Sequence, residues 1–246
     1  MPNKPFVSYL KKEDILSAKD FALKHDLVFS SPREIRISKF PKLVIWIDKN
    51  NISLQDLDEK NSKPFALSFD SLIEDNKSKN LLHKCFSKFD KNNHVVDLTG
   101  GFCQDAFLIS EMGFKVTALE RESWLYDFTK RSLEINKISK VNFLNVNSLK
   151  SIDLIKDSEI IYLDPMFEIS NKSSAKKEIQ FLRKTLEMDD ERSLFNAAWN
   201  SPAKIIVVKR HKLSKEIYEK KPSYELKGKV ITIQVFDRRG LFKANV

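Results

Sequence analysis

The chain has 246 residues, a formal net charge of +9, 41% hydrophobic and 31% charged residues, and only 5 Gly and 2 Cys. Its length and its 18 Phe describe a protein able to bury a sizeable core and exclude a disordered chain. No run approaches the ~18 apolar residues of a membrane span, and the N-terminus lacks the apolar centre of a signal peptide. The cysteines have neither disulfide-framework nor metal-ligand spacing, so a reduced, cytoplasmic setting without metal is expected. The positive charge is spread over both halves and favours a polyanionic partner, with nucleic acid the commonest.

Residues 11–26 pattern as an amphipathic helix, with Ile15, Leu16, Ala18, Phe21, Ala22 and Leu23 on or near one face. Residues 34–38 alternate as a half-buried strand, and residues 43–47 form a more apolar one before a turn at Lys49-Asn50-Asn51. Residues 54–57 and 64–69 are candidates for two more strands. Together these predict a small N-terminal α/β lobe over residues 1–72, with no chemistry of its own. The polar stretch 74–80 is a linker or loop, and residues 81–89 are a helix opening a second domain, residues 73–246.

That domain is organised around residues 95–121, which predict strand, glycine turn, helix, strand. Val95 to Leu98 form a buried parallel strand closed by Thr99-Gly100-Gly101, residues 105–112 follow a helical period, and Gly113 ends the helix. A second strand runs from Lys115 to Leu119. Three of the 5 glycines, Gly100, Gly101 and Gly113, lie in this stretch. Ligands of open α/β sheets bind at strand carboxyl ends, so Asp97, Gly100, Gly101 and Glu120 line one pocket. The turn lacks the G-x-G-x-x-G spacing of a dinucleotide site, and Asp105 puts a carboxylate where phosphate would sit. A nucleoside without phosphates suits it better. S-adenosyl-L-methionine (SAM) fits, with Glu120 taking the ribose hydroxyls.

Further strands are expected at 141–144, 159–163, 203–208 and 230–236, with 224–226 pairing beside the last, and helices at 124–135, 176–186 and 191–199. This alternation predicts a doubly wound, mostly parallel sheet. Asn147-Ser148 close one strand and Asp164-Pro165-Met166-Phe167 another, all facing the same crevice. An exocyclic base amine is a poor nucleophile because its lone pair is delocalised into the ring. A carboxylate (Asp164) and a rigid carbonyl (Pro165) that accept its protons localise that pair, and Phe167 offers a stacking face. No catalytic His is needed.

These residues resemble the bacterial RsmJ family, SAM-dependent methyltransferases of 16S ribosomal RNA that act on a guanine N2. The similarity rests on Asp97, Thr99 and Gly101 with Asp105-Ala106-Phe107, on Leu119-Glu120-Arg121, on Tyr162 to Phe167, on Lys172-Ser173 and Lys176-Lys177-Glu178, and on Val207 to Arg210. The resemblance implies a class I, Rossmann-like methyltransferase with SAM contacts at Gln104, Asp105, Glu120, Arg121, Asn147, Ser148 and Asp164. It also implies rRNA or the 30S subunit as partner, and phosphate contacts from Lys172, Lys176, Lys177, Lys209 and Arg210. The chain departs from the family at Cys103 and Gln104, where glycine and arginine are usual, and at Asn147 in place of serine. Residues 73–80 stand where the family carries an Arg- and Gly-rich loop. Methylation of another base amine such as adenine N6, methylation of a small molecule, and RNA binding on a decayed scaffold are the alternatives.

Overall fold

The computed structural model describes residues 4–49, 51–70, 72, 81–166, 177–188, 190–214 and 218–240. The chain divides into two compact units, Met1–Leu67 with Ile169–Met188 and Ser68–Glu168 with Asp189–Val246.

In the smaller unit, β1 (Phe6–Tyr9), α1 (Ile15–Lys24), β2 (Val28–Phe29), α2 (Pro32–Ile37), β3 (Leu43–Asp48) and β4 (Asn51–Asp56) form a four-stranded sheet of order β2-β1-β3-β4. β1 is parallel to both β2 and β3, while β4 returns antiparallel. The strand expected at 34–38 is instead helix α2. Ser31 caps it, its hydroxyl accepting from Glu34 N–H while the Glu34 carboxylate accepts from Ser31 N–H at 2.7 Å, and Pro32 sits in the first turn. That reciprocal pair stabilises a helix start strongly enough to override the Ile35/Ile37 alternation. Only Ile35 of the two is buried. Residues 64–69 contribute one isolated bridge, Phe65 to Leu54, rather than a strand. Helix α1 buries a narrow stripe, Ala18 and Ala22, and leaves Leu16 and Leu23 exposed. The later helix Lys177–Thr185 (α6) belongs to this unit, where Lys184 pairs with Asp56 and Phe181 meets Phe65 edge-on at 6.1 Å.

The larger unit contains α3 (Leu81–Phe86), β5 (His94–Asp97), α4 (Gln104–Glu111), β6 (Lys115–Glu120), α5 (Ser123–Ile135), β7 (Val141–Asn145), β8 (Ile160–Leu163), α7 (Glu191–Asn200), β9 (Ile205–His211), β10 (Tyr224–Lys227) and β11 (Ile231–Asp237). Its seven strands run in the order β10-β11-β9-β8-β5-β6-β7. β5 through β9 are mutually parallel, and β11 is antiparallel to its neighbours β9 and β10. The near-continuous apolar runs of β5, β8 and β9 suit strands covered on both faces. Their core includes Val96, Leu163, Phe195, Ile206, Val208 and Phe236. From β5 the chain winds outward through β6 and β7, whereas β8 and β9 lie on the other side. The direction of winding therefore reverses between β5 and β8, and a doubly wound sheet opens its ligand crevice at such a point. Among the described residues, no helix is long and apolar enough to cross a membrane.

Candidate active site

The turn after β5 is shaped by three residues with different constraints. A Cβ on Gly100 would stand 2.9 Å from the Leu119 carbonyl oxygen and 3.0 Å from the Phe143 ring, so only glycine fits against β6 there. Gly101 has φ +50°, and its N–H donates to Glu120 Oε2 at 3.0 Å. Cys103 also takes a left-handed conformation, φ +55°, held by its N–H to Gly100 O at 2.7 Å and by complete burial of the side chain. A β-carbon in that region costs about 1–2 kcal/mol. Because Cys103→Ala keeps that cost and loses sulfur packing, Cys103→Gly should be the more stable of the two, by about 1 kcal/mol in thermal denaturation.

Glu120 closes β6 as a fixed acceptor. Oε2 takes Gly101 N–H and Oε1 takes Glu122 N–H at 2.7 Å, and the residue is 8% exposed. Asn145 braces the strand end by donating to the Glu120 carbonyl at 2.8 Å. At the end of β7, Asn147 caps a short 3-10 turn through Leu149 N–H, while buried Ser148 donates to Leu98 O at 2.6 Å. Gln104 opens α4 half-buried, and Arg121 is exposed, its guanidinium 3.7 Å from Glu122.

Asp97, Thr99 and Asp164 are linked across the switch point. Asp164 N–H donates to Thr99 Oγ1 at 2.7 Å, and the Thr99 hydroxyl donates in turn to Asp97 Oδ1 at 3.0 Å. Thr99 N–H donates to the same Asp97 oxygen at 2.9 Å. Burial pushes the Asp97 carboxyl up to about 7, against the lowering influence of its Thr99 hydrogen bonds. Between the unfolded value of 3.8 and that folded value, the native state keeps a proton that the unfolded chain has lost. Stability therefore falls as pH rises through this window. Asp97→Asn, which cannot ionise, should raise the melting temperature of the ligand-free protein at pH 8 and give little gain at pH 4.

A second network crosses three elements. Lys209 Nζ, on β9, lies 2.7 Å from Asp105 Oδ2 on α4 and 2.7 Å from Asp164 Oδ2 after β8. Tyr162 Oη, on β8, donates to the same Asp105 oxygen at 2.5 Å. Burial pushes Asp105 up, but the Lys209 ammonium and the Tyr162 hydroxyl outweigh it and hold the carboxyl below its ordinary range. Asp164 moves the other way, up to about 6: burial raises it, Lys209 lowers it, and neighbouring Asp105 raises it. The three charged side chains keep 20–29% of their surface exposed, so the cluster faces solvent on one side.

The geometry thus brings Asp97, Gly100, Gly101, Gln104, Asp105, Glu120, Asn147, Ser148, Asp164 and buried Pro165 to the carboxyl ends of β5 to β8. Lys209, expected on a phosphate, is bound between two carboxylates instead. Arg210, expected likewise, is 5% exposed, with Nε donating to Glu191 at 2.9 Å and its guanidinium over the Tyr218 ring. Lys177 is exposed in the first turn of α6, in the smaller unit. Phe167, Lys172 and Lys176 lie outside the described residues. The sequence reading missed the part played by Tyr162. The signal for it was a tyrosine in an otherwise aliphatic buried strand, whose hydroxyl needs a partner.

No cluster of three or more His, Cys, Asp or Glu among the described residues is arranged to hold a metal ion. The donor set does suit SAM. Carboxylates at the ends of β5 and β6 favour a ligand carrying positive charge and hydroxyls over one carrying phosphates.

Strand order, the antiparallel β11 and a glycine turn beside an acidic strand end define a class I SAM-dependent methyltransferase. The SAM-dependent methyltransferase family (SAM_MT) matches residues 32–237, and the chain belongs to it. Ribosomal RNA small subunit methyltransferase J of Buchnera aphidicola subsp. Schizaphis graminum is 28% identical over 215 residues, covering 79% of this chain and 86% of the relative. The protein of the same name from Hahella chejuensis is 33% identical over 156 residues, covering 60% of this chain and 59% of its own length. A crystal structure of a SAM-dependent methyltransferase from Neisseria gonorrhoeae has the same fold, with a TM-score of 0.69 over 99% of both chains at 20% identity.

Proposed function

We propose that this protein methylates small-subunit ribosomal RNA at the exocyclic N2 of a guanine. The observation that carries the reading is the position of Asp164. It closes the strand beside the glycine turn, partly exposed, and is fixed through its N–H to Thr99 and through its carboxylate to Lys209. The names of the relatives favour rRNA as substrate, and the +9 charge agrees with a polyanionic partner.

In this reading Asp97, the Gly100-Gly101 turn, Gln104, Asp105, Arg121, Asn147, Ser148 and Asp164 enclose SAM, and Glu120 receives its ribose hydroxyls. Bound SAM supplies an electrophilic methyl group. The chain's own task is to present the amine. Asp164 and the Pro165 carbonyl accept its two N–H bonds, localise the lone pair and fix its line of approach. Phe167 stacks on the base. Transfer leaves one proton in excess on the nitrogen, and an ionised Asp164 is placed to take it. A paired guanine would first be extruded, at a cost of a few kcal/mol. Lys172, Lys176 and exposed Lys177 position the RNA through phosphates without reading its sequence.

Nucleoside mass spectrometry of 16S rRNA from a deletion strain tests this reading. It predicts the loss of one N2-methylguanosine. An unchanged nucleoside profile, or the loss of an N6-methyladenosine, refutes it.

A further inference from the structure

We propose that Lys209 is a positioning residue for methyl transfer: by bridging Asp105 and Asp164 it holds the Asp164 carboxylate charged and in one orientation. The inference rests on the reading that Asp164 receives the amine, and it assigns Lys209 to the reaction centre rather than to RNA phosphate.

The geometry is specific. One ammonium is shared by two carboxylate oxygens at 2.7 Å each, from elements 45 and 104 residues away in sequence. The third partner, Tyr162 Oη, reaches the Asp105 oxygen from β8, so Asp105 is fixed from two sides. Asp164 is thereby tied down twice, by Thr99 at its backbone N–H and by Lys209 at Oδ2. An acceptor that must localise a lone pair has to be held in place before the base arrives, and a single backbone hydrogen bond leaves its carboxylate free to rotate. Charge matters as much. Asp105 from α4 disfavours a negative charge on Asp164, and Asp97 from β5 and Tyr162 from β8, both electrostatically coupled to Asp164, add no positive charge in compensation. Lys209 from β9 is the cation that offsets them. With it in place Asp164 titrates at about 6 and is mostly ionised at neutral pH. Without it, burial and Asp105 act unopposed and the carboxyl protonates. A protonated Asp164 could still donate a hydrogen bond but would no longer accept the amine's protons at that oxygen.

The test is a ¹³C carboxyl titration of the full-length protein by NMR, with Asp164 assigned by the signal missing from Asp164→Asn. Lys209→Met should raise the Asp164 midpoint by about one unit or more, while Lys209→Arg leaves it near the wild-type value. Asp105→Asn keeps the shape and removes a facing negative charge, so it should lower the midpoint; it serves as the arm with opposite sign should Lys209→Met fail to fold. The acid limb of the kcat profile should move with the midpoint, so that a one-unit rise gives Lys209→Met about fivefold lower kcat than wild type at pH 6, with recovery toward alkaline pH. A midpoint that does not move in either variant overturns the proposal. So does a uniform loss of kcat with an unshifted limb, the signature of a structural brace. The titration needs no RNA, so a wild-type enzyme inactive on rRNA would refute the substrate reading and leave this outcome readable.

Discussion

Replacing Asp164 by alanine is expected to lower the rate of methyl transfer by about 10²–10³-fold, the usual cost of removing a pre-set hydrogen-bonding group at a reacting centre. The fold should survive. The anchoring bond to Thr99 comes from the Asp164 backbone N–H and is retained in the variant. The truncation also releases Lys209 from one of its two carboxylates while leaving it paired with Asp105. Far-UV circular dichroism should therefore stay close to wild type, and SAM affinity, which keeps its other contacts, should fall far less than kcat. Asp164→Asn separates charge from shape: its carbonyl still accepts one hydrogen bond, and its activity should fall between that of wild type and the alanine variant. Near-normal turnover in Asp164→Ala would remove the acceptor role from this residue.

Gly100→Ala should have the second-largest effect, and on stability as well as binding. The added methyl group falls 2.9 Å from the Leu119 carbonyl oxygen, a backbone atom that cannot step aside without displacing the end of β6. The Gly100 N–H bond to that same oxygen, 2.8 Å, is lost if the two segments separate. Overpacking of this kind costs about 1–3 kcal/mol, a drop of several degrees in melting temperature for a protein of this size. Because Glu120 is fixed through Gly101 N–H, the shift also misplaces the acidic acceptor at the end of β6. SAM affinity should fall by a larger factor than stability alone explains. Gly113→Ala is the control. It sits at φ +96° with open space around it, so it carries backbone strain without a clash and should leave SAM affinity unchanged.

Much of the larger unit was legible because its signals are local. The apolar run at Val95-Val96, the paired glycines, the C-terminal Gly113 and the Asp-Pro dipeptide after β8 each report on their own neighbourhood, and the structure places them as their chemistry requires. The smaller unit was read less well for equally physical reasons. β1 is four residues with a serine inside and β2 is two residues, too short to show a period. The alternation at Glu34 to Ser38 suggested a strand, but the helix start Ser31-Pro32-Arg33-Glu34 was present in the same letters and carried the stronger stabilisation. At the candidate site, the position of most residues at the strand ends was legible, and their partnerships were not. Lys209 and Arg210 are adjacent cations on one strand, and nothing in the sequence says that one bridges two aspartates while the other is buried against Glu191. Successive strand residues point to opposite faces, so neighbours in sequence meet different partners.

On the proposed reading, Asp164 and the glycine turn together serve the transfer of a methyl group to a guanine N2. The most direct measurement is transfer of label from methyl-tritiated SAM to purified 30S subunits and to naked 16S rRNA, followed by nucleoside analysis of the product. Label is expected at a single site, recovered as N2-methylguanosine and absent with Asp164→Ala. Label recovered in any other nucleoside, or transfer undiminished in the alanine variant, would contradict it.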